Sequence, residues 1–341
     1  MLIARPSMTR SELIWGALAI MPPANTGYNP SLTIVGHKLR ACSLCYDSAV
    51  QLAFDRADEL GVPEWRKQEI IRAFRKVFYT ESGYKNRQTG GHLEGSHLRG
   101  EFPDVKPDLD AIAKVCQTGI TCDQLRNASP LDPVKYNTWQ ILKMLYPDRN
   151  TLLCMGKAAY DFLTVKRDEE LKPQGYQFIV PNAMIKYIGY TQEGTLSTHC
   201  LEATGPRIYL AQEWDFTYYD PSGKNHTIWY DLLDVMSTIG RTRLDMCASL
   251  IAELDSYTDP SMKLAMVVYS GGKSLQGWWS CKHTDPELVK DFFRQALILG
   301  ACRSTWTRSQ FVRMPGGTRI RRDDDNDRDI LVPQPVYYLN L

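Results

Sequence analysis

The feature that most constrains this chain is a change of apolar period part-way along it. Up to about residue 80, apolar side chains recur at helical spacing. SELIWGALAIM starts behind Ser11 and stops at Pro22-Pro23. SLCYDSAVQLAFDRADELG ends at Gly61, and PEWRKQEIIRAFRKVFY begins with Pro63. DLDAIAKVCQTG and VKYNTWQILKMLYP add two further helical stretches. From about Thr151 the pattern shortens to runs rich in β-branched and aromatic residues: TLLCMG, YQFIVPN, RIYLAQEWDFTYYD, KLAMVVYS, LQGWWSC and QFVRMP. Helical stretches alternate with them (IWYDLLDVMSTIG, RLDMCASLIAELD and DPELVKDFFRQALILG, the last capped by Asp285). The pattern predicts an α+β chain. It divides into a helical module over 1–80, a linker with a short helix over 81–124, and a larger core over 125–341. A length of 341 residues is too great for one ordinary core. The arginine- and aspartate-rich RIRRDDDNDRD reads as a solvated loop before a last apolar run.

The formal net charge is +1, so no global basic field points to nucleic acid, and any such site must be a local patch. No apolar run approaches the roughly 18 residues that span a bilayer. The first residues lack the pattern of a signal peptide, and the nine scattered cysteines suit reduced thiols in the cytoplasm. Cys42 and Cys45 form a lone CxxC inside a helical stretch, where buried thiols are the better reading than zinc. His92, His97, Cys116 and Cys122 offer zinc ligands at a spacing that fits no common finger. Arg66, Lys67, Arg72, Arg75 and Lys76 make a cationic helix face, a solvated surface with nucleic-acid contact as the second reading.

Chemistry concentrates in the core. In AQEWDFTYYD, Glu213 and Asp215 are two apart, so a strand would project both carboxylates from one face while Trp214 packs behind. Paired carboxylates suit Mg²⁺ or Mn²⁺; two solvated acids on a sheet edge are the alternative. The corner Ser270-Gly271-Gly272-Lys273-Ser274 lies between apolar runs and lacks the spacing of a Walker A loop. Its glycines could bare backbone N–H groups to phosphate, with Lys273 and Ser274 as further donors; a plain hairpin is the alternative. A third stretch, TWTRSQFVRMPGGTRIRR, gathers Arg308, Arg313, Arg319, Arg321 and Arg322. Guanidiniums there could clamp phosphates or simply face solvent.

Taken in order, Glu213-Trp214-Asp215, the Ser270–Gly277 corner and Gln310–Gly317 resemble the archaeo-eukaryotic primase superfamily, in its phage and plasmid replication-protein type. FIVPNAM and TGPRIYLAQEWD are similar to it as well, and the resemblance covers roughly Trp139 to Arg322. It implies a primase-like catalytic core with an RNA-recognition-like sheet, preceded by a helical module. It also implies primase or primase-polymerase activity: Mg²⁺- or Mn²⁺-dependent nucleotidyl transfer from an NTP or dNTP on a single-stranded DNA template. Glu213 and Asp215 would be the catalytic metal ligands. Ser270, Gly271, Gly272, Lys273, Ser274, Gln276 and Arg313 would bind the nucleotide. No Walker A loop is present, so unwinding would fall to a separate helicase. Two positions depart from the family pattern. Gln276 stands where a histidine is expected, and Cys302, in LGACRSTW, stands where a third acid is expected. The departures imply an alternative, a degenerate primase fold that binds nucleotide or nucleic acid without catalysis.

Overall fold

The computed structural model describes residues 10–21, 29–42, 44, 46–79, 105–159, 161–167, 175–191, 194–219, 225–227, 240–257, 259–323 and 328–341. Cys45, His92, His97, most of IWYDLLDVMSTIG and the DDND of the charged tail, 324–327, fall outside these residues. The chain divides into two compact units, and the division is not sequential. Residues 1–94, 159–165 and 186–203 form one unit; 95–158, 166–185 and 204–341 form the other. The expected boundary at residue 124 therefore does not coincide with the division.

The first unit is built on helices α1 (Arg10–Leu18), α2 (Asn29–Ala41), α3 (Tyr46–Glu59) and α4 (Glu64–Tyr79). Gly61, at φ 65°, ends α3 as its sequence predicts. Leu32, Val35, Leu39, Val50, Phe54, Ile70, Ile71 and Phe74 are buried between the helices. α2 was not evident from the sequence, because Gly36 interrupts its apolar stripe. That glycine lets α2 lie against Phe74, whose ring would be 3.1 Å from an added Cβ. The cations of α4 are largely committed. Lys67 pairs with Asp58 and Glu64, Arg66 with Glu69 and Arg72 with Asp161, and Arg75 donates to the Leu196 carbonyl. These pairings engage four of the five cations that the sequence places on the basic face. Buried Gln68 donates to the Thr164 carbonyl and accepts from its N–H.

In the second unit, α5 (Leu109–Thr118), α6 (Cys122–Asn127) and α7 (Thr138–Leu145) each begin at a side-chain cap: Asp108, Thr121 and Asn137. α8 (Arg243–Ser256) and α9 (Pro286–Ile298) follow, the latter capped by Asp285. The segment expected as linker joins this unit through α8: Arg241 donates to the Gly119 carbonyl, Ser249 to the Ile120 carbonyl, and the Cys122 N–H to Asp245.

Among the described residues fourteen strands run in chain order. They are β1 (Leu152–Ala158), β2 (Asp161–Lys166), β3 (Phe178–Ile179), β4 (Gly189–Tyr190) and β5 (Leu196–Ser197). Then come β6 (Tyr209–Glu213), β7 (Thr217–Tyr219), β8 (Asn225–Thr227), β9 (Lys263–Tyr269) and β10 (Leu275–Ser280). The last are β11 (Val312–Arg313), β12 (Gly317–Asp323), β13 (Arg328–Gln334) and β14 (Val336–Leu339).

The main sheet of the second unit is four-stranded, in the order β14-β9-β10-β6, with antiparallel pairs. Trp279, Ile251, Leu254, Phe292 and Phe293 form part of its core, and the Trp279 indole N–H donates to Asp255. β1, β3 and β11 form a second antiparallel ladder. The arginine-rich tail is a correction to the sequence reading: β12 and β13 pair over seven residues, Gly317 to Asp323 against Arg328 to Gln334, as a ribbon rather than a loop. The chain is thus α+β. Among the described residues no helix is long and apolar enough to cross a membrane.

Candidate functional site

Glu213 is the last residue of β6, and Asp215 lies beyond the strand. Strand alternation alone therefore does not bring the two acids together. Trp214 is fully buried between them, its indole N–H donating to the Leu299 carbonyl at 3.0 Å. Phe216, also buried, takes a left-handed φ of 53°, the only such value at a non-glycine among the described residues. Two buried aromatics thus pin the turn from the core side. Arg243 at the start of α8 holds the Asp215 carbonyl at 2.7 Å.

Cys302 joins them. Its N–H donates to the Glu213 carbonyl at 2.8 Å, and it precedes the short 3₁₀ turn Arg303–Trp306. A carboxylate oxygen of Glu213, one of Asp215 and the Cys302 sulfur all lie within 4.8 Å of one another, the only such group of three or more metal-ligating side chains among the described residues. Cys116 and Cys122 are in no such group. Burial and the neighbouring Asp215 raise the Glu213 carboxyl from 4.5 to about 7, against the pull of Gln276, Arg313 and Arg319. Burial, with Glu213 and Asp215 nearby, pushes the Cys302 thiol to about 12, so it stays protonated at neutral pH. Two close carboxylates that repel each other in a buried setting form a donor set suited to a cation.

Gln276 lies directly across the sheet from Glu213 and is 2% exposed. The Arg313 backbone N–H can only donate, so it fixes the amide's orientation: Oε1 accepts from it at 2.7 Å and the NH₂ donates to the Glu213 carboxylate. Gln276 was expected to face a nucleotide; both ends of its amide are instead turned to the protein. It ties the main sheet to the β3–β11 ladder. The Arg313 guanidinium stacks 4.6 Å over the Phe178 ring and donates to the Gln177 side chain at 3.3 Å. Burial and Arg319 lower it to about 10, with Glu213 and Asp215 opposing.

At the Ser270–Ser274 corner, both serines are buried and close the turn. The Ser270 N–H donates to the Ser274 carbonyl, and the Ser274 N–H to the Ser270 hydroxyl. Gly271 is left-handed at φ 69°, and Lys273 is exposed at the tip. A Cβ on Gly272 would collide with Arg319 Nη1. In the PGG segment, Gly316 has φ 67°, and a Cβ on Gly317 would strike the Tyr176 carbonyl. These glycines set the turn that leads from Arg313 to Arg319. The structure thus gathers Glu213, Asp215, Cys302, Gln276 and Arg313, with the glycine corner linked to them through Arg319. The sequence identified Arg319 only as one of several clustered arginines. Gln177 and Phe178 were missed; their one signal was a place in the apolar run YQFIVPN.

No family model, curated protein or solved structure matches this chain.

Proposed function

We propose that this chain is a primase-polymerase-like replication protein, carrying out metal-dependent nucleotidyl transfer from an NTP or dNTP on a single-stranded DNA template. The observation that carries the reading is the convergence of Glu213, Asp215 and Cys302 within 4.8 Å, with Arg313 and Arg319 near enough to act on the Glu213 charge without an ion pair to it. A site that gathers carboxylates and guanidiniums suits a cation together with a polyanion. The four-stranded antiparallel sheet, whose strand β6 ends at Glu213, suits an RNA-recognition-like core. Glu213 and Asp215 would hold Mg²⁺ or Mn²⁺, which when bound supplies neutralising charge and polarises a phosphoryl oxygen. Arg313 and Arg319 would orient the triphosphate. A 3′-hydroxyl oxygen then bonds to the α-phosphorus, the bond to the β-phosphate oxygen breaks, pyrophosphate leaves with the electron pair, and the hydroxyl proton goes to solvent.

One observation favours a second reading. The Cys302 thiol stays neutral where a third carboxylate is expected, and a neutral thiol is a poor partner for Mg²⁺. In that reading the site binds nucleotide or nucleic acid and does no chemistry. Primer extension and de novo priming with Mg²⁺ and with Mn²⁺ separate the two. Synthesis by wild type that Asp215→Asn abolishes supports transfer. Nucleotide or DNA binding without synthesis under any metal supports the binding module.

A further inference from the structure

The glycine pair at Gly271-Gly272 has a structural reason that the sequence did not disclose. A Cβ on Gly271 would lie 3.1 Å from the Arg319 Cβ, and one on Gly272 would overlap the Arg319 guanidinium. The side chain of Arg319 therefore lies along the corner, in space that only glycine leaves empty. Among the described residues that guanidinium makes no hydrogen bond or ion pair. Arg313 lies close enough for the two cations to repel each other, and both feel the Glu213 charge without pairing to it. A half-buried guanidinium fork with no protein acceptor, beside a second cation, has its donors open to an anion.

We propose that the Gly271-Gly272 corner is a slot for Arg319, and that Arg319, with Arg313 beside it, takes a phosphate of a nucleoside triphosphate; the corner's own N–H groups and Lys273 are secondary. The identity of the ligand rests on the nucleotidyl-transfer reading above. The glycines then serve phosphate recognition indirectly, by letting the arginine lie flat.

Gly272→Ala is the discriminating variant, because it keeps every charge. Gly272 is not in the left-handed region, and the atom its Cβ would meet is the far end of a flexible side chain. The chain should fold while the guanidinium is displaced. Binding is measured on the full chain in a Glu213→Gln/Asp215→Asn background, which removes carboxylate repulsion and the need for metal. The probes are inorganic tripolyphosphate, dATP and a single-stranded oligothymidylate, with thermal unfolding as a check on folding. Arg319→Ala should weaken tripolyphosphate and dATP binding roughly ten- to a hundred-fold, the range for a charge-assisted contact. Gly272→Ala should weaken both comparably, and the double variant should bind no worse than Arg319→Ala alone. Arg319→Lys, with charge but no fork, should fall between.

Several results would overturn the proposal: multiplying effects of Gly272→Ala and Arg319→Ala, unchanged affinity in Arg319→Ala, no triphosphate binding by the parent, or a loss confined to the oligothymidylate. Failure of the functional reading looks different. If phosphate binding follows Arg319 and wild type makes no product, the slot stands and transfer falls. If wild type extends primers and Arg319→Ala does so at unchanged nucleotide affinity, transfer stands and the slot falls.

Discussion

A glutamine amide has one donating and one accepting end, and at Gln276 both are occupied, by Glu213 and by the Arg313 N–H. A neutral imidazole can do the same with its two nitrogens. Gln276→His should therefore stay within about 1 kcal/mol of wild-type stability and bring no gain in nucleotide affinity. Gln276→Leu strands two buried polar groups and should cost about 2–4 kcal/mol in denaturant unfolding. A His variant that binds nucleotide markedly better would mean that the side chain faces the ligand after all. Glu213 supplies a pH signature. Its carboxyl is raised from 4.5 to about 7, so between those values the folded chain holds the proton that the unfolded chain releases. Its contribution is full below about pH 4.5 and is lost as pH rises toward 7, a loss of about 1–3 kcal/mol in metal-free buffer. Unfolding curves from pH 4.5 to 8 in EDTA should show this slope in wild type and a flatter one in Glu213→Gln. An identical slope in both would place the charge elsewhere.

The glycines of two corners make opposite predictions at the scale of the element. Gly317 faces a backbone carbonyl, Tyr176, which cannot swing away, whereas Gly272 faces the end of a side chain. Gly317→Ala should cost about 1–3 kcal/mol by thermal unfolding, and Gly272→Ala should stay within about 0.5 kcal/mol. Equal losses would mean that Arg319 is wedged rather than laid in place. The long strands and amphipathic helices were legible because apolar period survives in sequence: β9, β10, α4 and α9 lie where their patterns put them. Elements with weaker patterns were not. α2 was hidden by Gly36, and α6 by its length of six residues, although Thr121 and Gln124 spell a capping box. The charged part of the β12–β13 ribbon, 319–329, was read as loop because Ile320 is its one apolar residue, whereas Ile330, Leu331 and Val332 of β13 fell in the last apolar run. At the site, sequence order suggested which residues would meet. The direction of Gln276 and the partner of Gly272 were not legible, because each depends on a contact between elements far apart in the chain.

For the whole molecule, the interleaving of the units decides what can be cut away. Residues 159–165 and 186–203 belong with the N-terminal helices, so residues 1–94 alone lack Thr164 for buried Gln68 and Asp161 for Arg72. A 1–94 fragment should unfold with a shallower, less cooperative thermal transition by circular dichroism than the corresponding helical signal of the full chain. A fragment as cooperative as the parent would show that these contacts are dispensable. The same topology sets a timetable for synthesis on the ribosome. Gln68 meets a partner 96 residues later in the chain. At about 5–20 residues per second, the helices emerge roughly 5–20 s before the strand that completes them. During that interval the nascent chain carries a bare glutamine amide and an unfinished apolar face, a natural point of engagement for a chaperone.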